Sequence, residues 1–250
     1  MNYLKQSTLC PIPAEELYVD DGGGHVGRFH FAYGDYVAPS NEGFGVLNAL
    51  NDFVVLPGAG FDTHRHEEVE IISYCVQGQL SHSDSMGNAT ILRRGDVGYQ
   101  CAGAGITHTE MNHSPDEPLR FVQILIRPNA PGLPAGYRYH RYPARARRNK
   151  WLQVASGKPV NSILQISQDA NIFISEVDEG ARLAFAIPDE RQVYLVCLEG
   201  SLVINDFELK PGGAIKAIGE AELGLEALEE AHLLMVEMAE SSYLRKMNKE

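Results

Sequence analysis

The chain has 250 residues, 44% hydrophobic and 22% charged, which is ordinary globular composition. It argues against disorder and leaves length for one large domain or two smaller ones, each with its own core. Thirty-three acidic against 21 basic side chains give a formal charge of −12, which argues against direct binding to phosphate backbones. No apolar run reaches the roughly 20 residues that span a bilayer. The N-terminus MNYLKQSTLCPIPAEEL has neither a basic leader nor a long apolar stretch. Cys10, Cys75, Cys101 and Cys197 form no CxxC pair. The chain therefore reads as cytoplasmic, with reduced thiols and no membrane segment.

In chain order, residues 25–37 (HVGRFHFAYGDYV) read as β, with aromatic and β-branched residues between Gly breaks. FVVLPGAG (53–60) reads as a short strand ending in a turn. VEIISYCVQGQLSHSD (69–84) and ATILRRGDVGYQCAG (89–103) are each strand, turn, strand, the turns falling at Gly78 and Gly95. LRFVQILIRP (119–128) is a buried strand that Pro128 ends. PNAPGLPAG then reads as a linker, followed by a run with Arg138, Arg141, Arg145, Arg147, Arg148 and Lys150. One short basic run on an acidic chain reads as a solvated connector rather than an anion patch. A second β series follows in residues 162–167, 170–177, 181–187, 192–205, 207–218, 221–228 and 232–239, and SSYLRKMNKE reads as a helical or frayed tail.

The halves repeat each other. SYCVQGQL (73–80) aligns with LVCLEGSL (195–202), and LRRGDV (92–97) with LKPGGA (209–214). The expectation is an all-β fold of two small barrels or jelly rolls in tandem, with short helical segments at most. The expected boundaries are residues 1–128, a linker over 129–150, a second copy over 151–240, and a tail over 241–250.

The chemistry concentrates in the first half. GAGFDTHRH (58–66) places His64 and His66 at i and i+2, so in a strand both face one side and Arg65 the other. GAGITHTEMN (103–112) does the same for His108 and Glu110. One HxH fits isolated surface or core histidines equally well. Two such pairs, separated by two hairpins, point to a metal held by three imidazoles and a carboxylate, with two adjacent positions open to water, dioxygen or substrate.

These segments resemble the two motifs of the cupin superfamily. HRHEEVEIISY (64–74) and AGAGITHTEM (102–111) resemble, more narrowly, the pirin family and its bacterial quercetin 2,3-dioxygenases. The resemblance implies a bicupin with one divalent metal in the first barrel, Fe(II) foremost, with Mn, Co, Ni, Cu or Zn as alternatives. Carried over by position, the ligands are His64, His66, His108 and Glu110. The general cupin pattern takes its Glu ligand from the first motif, but Glu70 sits one residue short of that spacing to Gly78. With parity matching His64 and His66, Glu70 reads as an inward group supporting the ligands. Cys101 replaces the usual Pro and reads as a buried structural thiol. In the second copy the offsets of His64 and His66 fall on Ala186 and Pro188. That copy is therefore expected to be degenerate and metal-free, with His232 a strand or interface residue. His82 and His113 read as loop or strand-end residues.

The resemblance implies a dioxygenase that opens the flavonol ring of quercetin-like substrates with dioxygen and releases carbon monoxide, Glu110 assisting as base. The alternative it carries is a non-enzymatic, iron-dependent redox regulator that binds partner proteins. Neither involves direct nucleic-acid or membrane contact, and monomer and homodimer both remain open.

Overall fold

The computed structural model describes residues 8–159 and 163–240. The strands of its first part are β1 (Thr8–Ile12), β2 (Tyr18–Asp21), β3 (His25–Phe29), β4 (Leu47–Val55), β5 (Gly60–His66), β6 (Glu70–Gln77), β7 (Gln79–Asp84), β8 (Ala89–Arg93), β9 (Val97–Cys101), β10 (Ile106–Met111), β11 (Leu119–Ile126) and β12 (Gly136–His140). The second part holds β13 (Leu152–Ser156), β14 (Leu164–Gln165), β15 (Ala170–Val177), β16 (Arg182–Ala186), β17 (Arg191–Glu199), β18 (Leu202–Ile204), β19 (Phe207–Leu209), β20 (Ala214–Ile218), β21 (Glu222–Ala227) and β22 (Ala231–Ala239). Helix among the described residues is limited to two short 3₁₀ turns, Ala14–Glu16 and Ala144–Ala146. No helix among them is long and apolar enough to cross a membrane.

The chain divides into two units. One comprises Tyr18–Pro143 with Leu164–Gln168; the other comprises Ala144–Ile163, the residues from Asp169 onward and the N-terminal segment through Leu17. The first unit has a large antiparallel sheet in the order β12-β9-β6-β11-β4-β3-β2 and a small one in the order β5-β10-β7-β8. Its core draws Phe53, Cys75 and Phe121 from the large sheet and Leu80 and Leu92 from the small one, so the apolar faces of the two sheets meet. The second unit repeats this with β1-β20-β17-β22-β15-β13 and β16-β21-β18-β19. Its core brings Leu195 and Met235 against Leu202, Ile204 and Leu225.

The internal repeat is visible atom by atom. Gly95 N–H donates to the Cys75 carbonyl, and Gly212 N–H to that of Cys197. Each cysteine Sγ lies against the carbonyl of the following turn glycine, Gly78 or Gly200. Both glycines have positive φ, 75° and 72°. A Cβ on either would stand 2.5 Å from the Pro118 carbonyl oxygen or 2.1 Å from that of Glu230. Only glycine fits a left-handed turn pressed this closely on a neighbouring strand.

Three segments differ from the sequence reading. The strand read from residue 53 begins at Leu47. Residues 129–150, read as a linker, contain β12, whose exposed Tyr and Arg side chains give no burial pattern but whose backbone pairs with β9. β1 pairs with β20, about 200 positions later in the chain, which nothing local in the sequence reports. The tail reading over 241–250 lies outside the described residues. Two members of the basic run are paired with carboxylates: Arg147 Nη2 is 3.0 Å from Glu176 Oε1, and Arg148 Nη2 is 2.7 Å from Asp178 Oδ1.

Candidate metal centre

The site grows from one strand pair. β5 and β10 run antiparallel, with His108 directly opposite His64 and Ile106 opposite His66. Cross-strand partners share a face, so His64, His66 and His108 come together. The register slips between His108 and Glu110, where β5 carries one extra residue. The donor atoms of His64, His66 and His108 all lie within 4.8 Å of one another.

His64 Nδ1–H donates to the Asp62 carbonyl over 2.7 Å, which fixes the tautomer and leaves the Nε2 lone pair free. That Nε2 is 2.9 Å from His108 Nε2. Two nitrogens bound at about 2.1 Å to a shared ion at right angles stand about 3 Å apart, so the spacing suits one cation. His66 Nε2 and His108 Nδ1 are buried without a hydrogen-bond partner. An unpaired buried nitrogen is costly in an apolar interior, and a cation shared with His64 Nε2 and His108 Nε2 would relieve that cost at His66 Nε2. Burial, and then His64, push His66 down to about 4; burial, and then His64 and His66, push His108 down to about 2. Both imidazoles are therefore neutral at physiological pH and ready to act as ligands.

Glu110 is buried, 1% exposed. Ser73 Oγ donates to Oε1 over 2.7 Å, and Gln123 Nε2 to Oε2 over 2.6 Å. Ser73 on β6 and Gln123 on β11 are direct cross-strand partners, so the large sheet presents both donors together. Burial pushes the Glu110 carboxyl up to about 7, against the pull of these two hydrogen bonds. The three histidines form one group. Glu110 belongs to an overlapping group with His82 and His108, its oxygens held by the large sheet.

His82 is the residue the sequence reading misplaced. It is no strand end but a buried member of β7, opposite Glu110. Its ring stacks on Tyr137 at 4.0 Å and 6°, and stands 5.3 Å from the ring of His108. Asp84 Oδ2 approaches its Nε2 at 3.5 Å. The available signal was alternation: Leu80 turns inward, so His82 must too.

Glu70 corrects the reading in the other direction. Its carboxylate is not aimed at the histidines. It accepts from Tyr99 Oη (2.7 Å), Ser167 N (2.6 Å), Ser167 Oγ (2.8 Å) and Gln168 N (3.1 Å). Parity counted from His66 fails because β5 ends there and Glu68, at φ 50°, turns the chain before β6 begins in the large sheet. Within β6, Glu70 is three positions from inward Ser73 and so faces the opposite side. Cys101, two residues beyond Tyr99 on β9, is buried, and burial raises its thiol pKa.

A cavity of about 110 Å³ reaches the cluster, lined by Tyr33, Phe53, Phe61, His64, Glu110 and Gln123. Among the described residues the second unit has no equivalent histidine cluster. Ala186 and Pro188 stand at the corresponding offsets, and its one histidine, His232, is 3.0 Å from Glu199.

Residues 19–126 match the pirin family model, and residues 153–238 match that of the quercetinase C-terminal cupin domain. A pirin-like protein of Caulobacter vibrioides is 33% identical, over 91% of this chain and 98% of its own. A quercetin 2,3-dioxygenase of Escherichia coli K12 is 29% identical, over 83% of this chain and 89% of its own. The crystal structure of the Escherichia coli bacterial pirin YhhW in complex with nickel(II) superposes with a TM-score of 0.87 at 26% identity, covering 93% of this chain and all of that one.

Proposed function

The chain belongs to the pirin family, and from that premise we propose that it is a metal-dependent dioxygenase acting on quercetin-like flavonols. The observation that carries this reading is the convergence of His64, His66 and His108 beside an aromatic cavity that His64 and Glu110 line. His64, His66 and His108 would hold the ion, with Glu110 completing the set. Bound there, a divalent metal supplies Lewis-acid polarisation of a substrate oxygen and redox contact with dioxygen.

The protein's own contribution follows from what lines the cavity. Tyr33, Phe53 and Phe61 offer flat apolar faces to a planar ring and exclude water. Glu110, deprotonated once the ion is held, would accept the flavonol 3-hydroxyl proton on a carboxylate oxygen. Ser73 and Gln123 fix the direction in which that carboxyl faces. Ring opening with one dioxygen would yield a phenolic ester and carbon monoxide. Support for catalysis over a non-enzymatic metal sensor comes from the cavity itself, which reaches both a histidine and the carboxylate.

The test is anaerobic reconstitution with Fe(II), Mn(II), Co(II), Ni(II) or Cu(II), followed by quercetin in air. The expected result is decay of the flavonol absorbance band with release of carbon monoxide. An unchanged band with every metal overturns the reading.

A further inference from the structure

A second cleft adjoins the cavity at the metal centre. It holds about 180 Å³, and Tyr33, Phe53 and Phe61 line both spaces. Phe61 packs on Phe53 at 4.7 Å and on His25 at 4.5 Å, so the shared wall is an aromatic cluster. On the cleft's outer side the rings of Tyr18 and Tyr36 lie flat on each other, 4.3 Å apart and 2° from parallel. Asp20 and Asp35 also line it, together with His25, and no Lys or Arg side chain does.

The cavity at the histidines is small. Its roughly 110 Å³ falls well below the ~300 Å³ at which drug-sized ligand sites begin. It has room for part of a fused ring system but not for a further aryl ring. A planar ligand seated there must place its remainder in adjoining space, and the cleft that shares three aromatic side chains with the cavity is that space. Its chemistry is specific. Tyrosine and phenylalanine faces stack on an aryl ring, and two carboxylates accept hydrogen bonds from hydroxyl groups while repelling anions.

We infer that the cleft lined by Tyr18, Asp20, Asp35 and Tyr36 is a subsite for the pendant aryl ring of the ligand, selecting rings that carry free hydroxyls. The inference rests on the flavonol reading given above and adds a specificity determinant to it.

The experiment uses full-length, nickel-loaded protein without oxygen and measures binding calorimetrically. Three probes are compared: 3-hydroxychromone, which lacks the pendant ring; 3-hydroxyflavone, which has it bare; and 3,3′,4′-trihydroxyflavone. Tyr36→Ala should weaken both flavones by about three- to tenfold and leave the chromone unchanged. The double variant Asp20→Asn, Asp35→Asn should weaken only the trihydroxyflavone, by about fivefold. Retained chromone binding shows that each variant is folded with an intact metal centre. If neither variant changes any affinity, or if all three probes weaken together, the subsite is overturned while the flavonol reading stands. If the wild-type protein binds none of the probes, the flavonol reading falls and the subsite with it.

Discussion

Glu110 is displaced upward from its ordinary protonation range and His66 and His108 downward, and binding should show it. Below pH 7 the metal-free Glu110 carboxyl holds its proton, whereas His66 and His108, lowered to about 4 and about 2, do not. Metal uptake at pH 6 should therefore release about one proton from Glu110, measurable as a dependence of the binding enthalpy on buffer ionisation heat. Glu110→Gln should abolish that release. The same shift affects stability. A carboxyl raised from 4.5 to about 7 in the folded chain makes the metal-free protein less stable as pH climbs through that window. The melting temperature of Glu110→Gln relative to wild type should rise between pH 4.5 and 7 and level off above it. His64→Ala or His108→Ala removes a converging donor and should lower metal affinity by more than about 100-fold, measured by elemental analysis after dialysis. These residues were legible because metal ligands must be particular residue types. His82 was less so: its type was visible, but its burial depended on partners from β10 and β12.

At the scale of elements, the β5–β10 pair is the frame of the site, and Gly60 permits its closeness. A Cβ at Gly60 would lie 2.5 Å from the Glu110 carbonyl oxygen and 2.7 Å from Met111 Cα, both backbone atoms that cannot swing aside. Gly60→Ala should part the strands where Glu110 sits, costing about 1–3 kcal/mol and weakening metal binding. Gly87→Ala is the control. A Cβ there meets nothing within 4 Å, so only the strain of φ 86° remains and metal affinity should not change. Denaturant melts and calorimetric metal titrations of both variants check the contrast. His64, His66 and His108 lie together because β5 and β10 are each extended there, whereas Glu110, beyond the register shift, groups with His82 and His108. Glu70 departed because the left-handed Glu68 lies between it and His66, and a single such residue erases parity.

Across the whole molecule, two copies of one β architecture have diverged in their interiors. The first unit places histidines, Glu110, Ser73 and Gln123 between its sheets. The second fills the comparable space with Leu195, Leu202, Ile204, Leu225 and Met235. An apolar interior without converging imidazoles cannot bind a divalent cation. The protein should bind one ion per chain, and His232→Gln should leave that stoichiometry unchanged; a second equivalent in elemental analysis would contradict this.

The sequence by itself determined the β architecture, the internal repeat and which residues are candidate donors. Each is written in local patterns: two-residue alternation, turn glycines, and side-chain chemistry that no other residue supplies. Only the tertiary structure decided which alternating face looked inward after each turn, that β1 joins β20, and that Ser73, Gln123 and His82 surround Glu110. Those outcomes depend on pairing between strands far apart in the chain. Such pairing is set by the burial of whole sheets against each other rather than by any short stretch of residues.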